Sequence, residues 1–102
     1  MKQILGMIGL AAKAGKIVSG EFSTEKAIKE NKAFLVIVAE DASANTKKHF
    51  TDMCSYRTIP IRVFSEKELL GKCTGKAFRA SVAVTDAGFA ETIKNKIDGS
   101  RK

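Results

Sequence analysis

The sequence predicts an α/β protein, a three-layer α/β/α domain, and three observations carry that expectation. Residues 33–41 read Ala-Phe-Leu-Val-Ile-Val-Ala-Glu-Asp, an apolar run with no polar alternation, which suits a strand covered on both faces. Segments of helical periodicity alternate with short β-branched runs along the rest of the chain, the arrangement that places helices on both sides of a sheet. The chain has 102 residues and a single proline, and a length near this buries roughly 60–70% of the unfolded surface in one core.

The elements follow in order. Residues 1–14 place Ile4, Leu5, Ile8, Ala11 and Ala12 at helical spacing, and Gly15 is a natural stop. Lys16-Ile17-Val18-Ser19 is a short extended piece. Gly20 then opens a helix over 21–32, with Thr24, Ala27 and Ile28 on one side and Phe22, Glu25, Lys26 and Lys29 on the other. The run 33–41 is the central strand, and is too short to cross a membrane, which takes about 20 apolar residues. Asp41, Ser43 or Asn45 caps the next helix, 43–55, whose Thr46, Phe50, Met53 and Cys54 face inward.

Ile59, Ile61 and Val63 alternate around Pro60 and Arg62, so this strand lies toward an edge. Ser65-Glu66-Lys67-Glu68 has the capping-box form and opens a short helix carrying Leu69, Leu70 and Cys73, with Gly75 as its end. Residues 76–79 form a loop and 80–85 a strand. Asp86 caps the last helix, in which Phe89, Ile93 and Ile97 recur every four residues. Residues 1–98 make one domain, and 99–102 a frayed basic tail.

The formal net charge is +7, from 18 Lys+Arg against 11 Asp+Glu. Such an excess on a small domain favours an anionic partner, most often nucleic acid; the alternative is a basic surface that serves only solubility. No segment joins a polybasic run to a wide apolar face, so a membrane partner is not expected. Cys54 and Cys73 are isolated and His49 is the single histidine, a pattern that argues against a metal site or disulfide framework. Core-facing, reduced thiols in a cytoplasmic protein are expected. The first residues have the lysine-then-apolar start of a signal segment, but Lys13 and Lys16 interrupt it.

Several motifs invite catalysis and do not support it. Glu40-Asp41 has the form of an acidic pair, yet no base or nucleophile lies nearby, and helix capping accounts for it. His49 stands beside Lys47-Lys48, opposite no second ligand, as a surface histidine. Gly71-Lys72-Cys73-Thr74-Gly75 lacks the GxxxxGK[ST] spacing and follows a helix rather than a strand. No cofactor, no small-molecule substrate and no enzymatic activity are expected.

Gly15-Lys16-Ile17-Val18-Ser19-Gly20, Lys26-Ala27-Ile28, the stretch from Lys32 to Asp41, Ile59-Pro60, Leu70-Gly71-Lys72 and Gly75 occur in an order and spacing that resembles a known family. That family is the kink-turn-binding ribosomal proteins, of the archaeal L-seven-Ae and L-thirty-e type, and the resemblance covers nearly the whole chain. Val84-Thr85-Asp86-Ala87-Gly88-Phe89-Ala90 and the Ala-Lys-Ala-Gly-Lys start are similar to its bacterial YlxQ subgroup, described as ribosome-associated or RNA-binding. The resemblance implies an α/β/α sandwich around a mixed sheet, L-thirty-e-like.

It also implies where RNA would bind: the start of the second helix, residues 20–26, and the loop before the last strand, residues 76–80. A helix start offers free N–H groups and partial positive charge to phosphate. The implied contact set is Lys16, Gly20, Glu21, Phe22, Ser23, Lys26, Lys29, Lys76, Phe78, Arg79 and Ala80. The family's Gly-Thr-Asn-Glu signature, whose polar side chains read sheared G·A pairs, is Gly20-Glu21-Phe22-Ser23 here. Glycine and the following lysine, Lys26, are kept; the asparagine and glutamate are not. Phe22 either stacks on a base or staples the helix start to apolar neighbours. Phe78 either stacks, with Arg79 on a phosphate, or tucks beneath its loop. Lys16, Lys26 and Lys29 are a phosphate patch or a solvated face. The expected function is non-enzymatic binding of structured, ribosomal or kink-turn RNA, with the ribosome as a further partner. The alternative is a protein–protein adaptor on the ribosome or transcription machinery.

Overall fold

In the computed structural model, which describes residues 2–101, helices and strands alternate as anticipated. They are α1 (Lys2–Lys13), β1 (Ile17–Ser19), α2 (Glu21–Lys29), β2 (Leu35–Val38), α3 (Ala44–Arg57), β3 (Ile61–Val63), α4 (Lys67–Cys73), β4 (Ser81–Val84) and α5 (Ala87–Gly99). The strands form one mixed sheet in the order β1-β4-β2-β3. Strand β4 runs antiparallel to both β1 and β2, and β2 runs parallel to β3.

The two interior strands, β2 and β4, bury every residue. That explains the unbroken apolar run: each side chain of β2 meets a helix layer, whichever way it points. Helices α2 and α3 pack on each other and cover one face, and α1, α4 and α5 form the other layer. Edge strand β3 follows Pro60, whose missing N–H would be lost from an interior ladder.

Four local expectations change, and one choice left open is settled. Phe34 is not covered; it is 46% exposed and precedes β2, with its N–H donating to the Val84 carbonyl at 2.8 Å. Helix α2 stops at Lys29, not at 32. Asn31 adopts a left-handed φ of 59°, and the Asn31 and Lys32 N–H groups donate to the Ile28 and Ala27 carbonyls, closing a Schellman motif. Of the three candidate caps for α3, Ser43 does the work, its hydroxyl accepting from the Thr46 N–H.

The capping box at 65–68 does not form. Ser65 sits at φ 64° with its hydroxyl buried and without a partner, and Glu66 occupies the cap position with no side-chain bond. The cap is supplied from a distance: Asp41, just beyond β2, accepts from the Lys67 N–H at 2.9 Å. Helix α5 runs through Gly99 instead of fraying there. Its end is held by a bidentate pair, Arg62 Nε to Asp98 Oδ1 at 2.7 Å and Nη2 to Oδ2 at 3.0 Å, and by Arg101 donating to the Val63 carbonyl. Lys102 lies outside the described residues. Asp86 caps α5 as expected, through the Phe89 N–H at 2.9 Å. Cys54 is fully buried, and burial pushes its thiol up to about 11; Cys73 is half-buried and raised for the same reason.

Gly71 controls where the loop before β4 lies. It is buried under that loop, and a Cβ there would clash with the Ala77 carbonyl and come within 2.9 Å of Phe78 Cα. Gly71→Ala should therefore cost about 1–3 kcal/mol, the usual range for overpacking, read as a lowered urea midpoint with unchanged slope.

The Arg62 guanidinium, by its hydrogen bonds, holds the Asp98 carboxyl below its ordinary value of 3.8. A carboxylate depressed in the folded state stabilises above its unfolded pKa and loses that contribution as pH falls through the folded one. Asp98→Asn should accordingly lower the melting temperature at pH 7, and the gap from the parent should close in scans run below the ordinary carboxylate range.

Candidate nucleic-acid interface

Helix α2 begins in an unusual way. Its N-cap, Gly20, has φ 94° and ψ 159°, a region essentially reserved for glycine. No side chain among the described residues caps the helix. The N–H groups of Glu21, Phe22 and Ser23 accordingly find no acceptor among the described residues, so the positive end of the helix is presented outward. By contrast α3, α4 and α5 each have a hydroxyl or carboxylate bonded to a first-turn N–H.

Beside this start lies Arg79. Its backbone N–H donates to the Lys67 carbonyl, its Nε to Ser19 Oγ at 3.0 Å, and its Nη1 to the Phe78 carbonyl at 2.9 Å. The guanidinium is thereby fixed next to Gly20, where a Cβ would stand 3.8 Å from Nε. Ser19, Ser23, Lys76 and Arg79 line one polar groove of about 470 Å³. Phe22, Lys26 and Lys29 line a separate depression of about 350 Å³ on the same helix, shared with Glu25 and Glu30.

The structure thus brings part of the sequence-derived set together and leaves part aside. Phe22 is 78% exposed, so it does not staple the helix start, and Phe78 is 62% exposed, so it is not tucked under its loop. Both rings are free to stack. Lys26 has no salt bridge among the described residues, whereas Lys29 lies 3.7 Å from Glu25. Lys16 is exposed but lines neither depression. Ala80 is half-buried, with its carbonyl accepting from the Ala39 N–H, and so anchors the end of the loop to the sheet.

Glu21 turns the other way. Its carboxylate gathers with that of Glu25 and with the His49 imidazole, ligand atoms all within 4.8 Å of one another. His49 is therefore not isolated: its Nε2 stands 3.5 Å from Glu25. Three such groups could approach a divalent cation, but Glu25 already has the Lys29 ammonium 3.7 Å away. Ser19 is the residue that sequence reasoning missed at this site. Its role is to hold Arg79, sixty positions away, and nothing in a lone serine announces that.

The ribosomal protein L7Ae/L30e/S12e/Gadd45 family model matches residues 2–94. RNA-binding protein YlxQ of Bacillus subtilis is 44% identical over 92 residues, covering 90% of this chain and 92% of that protein. The protein of that name from Enterococcus faecium is 41% identical over 99 residues, covering 96% and 94%. A solved structure of a Bacillus halodurans protein of unknown function superposes with a TM-score of 0.90 at 37% identity, over 93% of this chain and 96% of that one. The Giardia lamblia 15.5kD RNA binding protein shares the fold, with a TM-score of 0.80 at 22% identity over 93% and 84%.

Gly20→Ala should destabilise the protein by about 1–3 kcal/mol, because an L side chain is strained at that φ and ψ. Chemical denaturation of the variant measures the cost, and an unchanged midpoint would contradict the strain at this position.

Proposed function

The chain belongs to the ribosomal protein L7Ae/L30e/S12e/Gadd45 family, and from that premise we propose that it is a non-enzymatic binder of structured RNA. The observation that carries this reading is the convergence of an uncapped helix start with a fixed guanidinium, Gly20 against Arg79. Backbone N–H groups of residues 21–23 and the side chains of Arg79 and Lys76 receive phosphate oxygens. Lys26 adds a second positive charge on the far side of Phe22. The relatives carry the name RNA-binding protein, which agrees with this assignment.

Phe22 alters what can be read. A polar pair in its place and the next would hydrogen-bond base edges in a groove; a phenyl ring cannot, and the short Ser23 hydroxyl offers one donor where an amide and a carboxylate would stand. An exposed ring instead offers a face to an unstacked base, worth about 1–3 kcal/mol per base. The proposed ligand is therefore an RNA with a bend or bulge that splays a base toward α2, with the phosphate backbone supplying most of the affinity. Ribosomal RNA contains many such features, and association with the ribosome follows from this reading.

A second reading rests on one observation, the exposure of Phe22. In it, α2 docks a protein partner and the basic surface serves solubility. Salt separates the two, since phosphate contacts weaken steeply as salt rises and an apolar contact does not.

The test is a gel-shift titration at two salt concentrations against a kink-turn RNA, the same RNA without its G·A pairs, and bulk ribosomal RNA. Salt-sensitive binding is expected, with Arg79→Ala lowering the slope of log affinity against log salt by about 1. Phe22→Ala should weaken binding by roughly the stacking energy of one base while leaving the slope unchanged. Discrimination between the first two RNAs measures kink-turn selectivity directly. Absence of binding to all three would favour the adaptor.

A further inference from the structure

The polar groove beside α2 does not end at Arg79. It shares Ala12 and Thr74 with a second groove of about 410 Å³ that lies between α1 and α4. The two adjoin at these residues, so a strand passing over Ala12 and Thr74 would follow a trough from the start of α2, past the end of α1, and along the α1–α4 seam. Lys76 and Arg79 stand over its first half, and Lys13 and Lys72 over its second. No carboxylate lines either half, and none of these four cations is in a salt bridge among the described residues. Elsewhere Lys29, Lys32 and Arg62 each stand against a carboxylate.

The second half also has a floor. Gly6 leaves the α1 backbone open, Gly9 lies close under the Cys73 carbonyl of α4, and Leu10 beside them is 58% exposed. An apolar floor between cationic rims is what a single strand needs: charge that tracks its backbone and an apolar surface against its bases. A duplex, with its bases turned inward, would use only the rims.

We propose that a single-stranded RNA segment leaving the structured element at α2 continues along this trough, its phosphates held by Lys13 and Lys72. This rests on the RNA reading above and extends it from a point contact to a path. The strand's direction along the trough decides whether the segment is 5′ or 3′ of the element, so both are tested.

The experiment compares three forms of whichever RNA the chain binds: blunt, with a short 5′ oligouridine overhang, and with a 3′ one. One overhang should tighten binding several-fold, and the steeper salt dependence should be confined to that RNA. In the Lys13→Ala/Lys72→Ala double variant the gain should disappear and the salt slope on that RNA should fall by about 2, one for each lost phosphate contact. Affinity for the blunt RNA should be unchanged. The Lys13→Arg/Lys72→Arg variant should restore the gain, since charge and not shape is required.

If neither overhang tightens binding, the path is wrong while the RNA reading stands. Equal weakening of blunt and overhanging RNA by the double variant would likewise overturn the path, by reducing the two lysines to general charge. Absence of binding to the kink-turn RNA, its G·A-less form and bulk ribosomal RNA in the titration above overturns the RNA reading and the path with it.

Discussion

Antiparallel pairing of β1 with β4 is the constraint on which the functional end of the molecule depends. Its register sets Ser19 opposite Val82, and the Gly20 N–H donates to the Ser81 carbonyl. The end of β1 therefore meets the start of β4. Whatever follows β1 must lie against whatever precedes β4, and those segments are the start of α2 and the loop carrying Lys76 and Arg79. The site is a consequence of topology, and its two halves are far apart in sequence because β4 is the last strand. Burial of β2 and β4 on both faces fixes that topology in turn, since only the edges of the sheet remain for β1 and β3.

Within that frame the distribution of positive charge matters more than its total. Several lysines and arginines are bound to carboxylates on their own or neighbouring elements, and they do structural work: Arg62 with Asp98 ties an edge strand to the end of α5. Most others have no such partner among the described residues, and Lys13, Lys72, Lys76 and Arg79 of that group stand near one another where α1, α4 and the α4–β4 loop meet. An exposed ion pair contributes only about 0–1 kcal/mol to stability, so pairing the second group would have added little to the fold. Left unpaired, those cations keep their full attraction for phosphate. Gly71 and Ser19 serve the same end without touching a ligand, one by letting the loop lie down on α4 and the other by fixing the guanidinium of Arg79.

Much of the fold was legible because periodicity and burial are local signals. The run through Leu35–Val38 could only be a doubly covered strand, and Asp86 and Ser43 were caps that a sequence can announce. What could not be read were choices settled between distant segments. Asp41 was one of three candidates to cap α3, yet its carboxylate reaches Lys67 and caps α4, which left the Ser65 box unused. The end of α2 came three residues early because Asn31 accepts a left-handed conformation that periodicity does not register. At the site, the family resemblance supplied the two regions, but only the exposure of Phe22 and Phe78 removed the stapled and the tucked ring that sequence left open. His49 looked isolated, and only the packing of α3 on α2 brought it to Glu25.

The central claim is that RNA is received where an uncapped helix meets Arg79. Backbone amide shifts, followed by NMR as a bound RNA is titrated in, address it residue by residue. The account predicts the largest changes at residues 20–26 and 76–80, with the amides of Glu21, Phe22 and Ser23 moving as their N–H groups gain phosphate acceptors. Changes concentrated instead on the outer faces of α3 or α5, with residues 20–26 still, would contradict it.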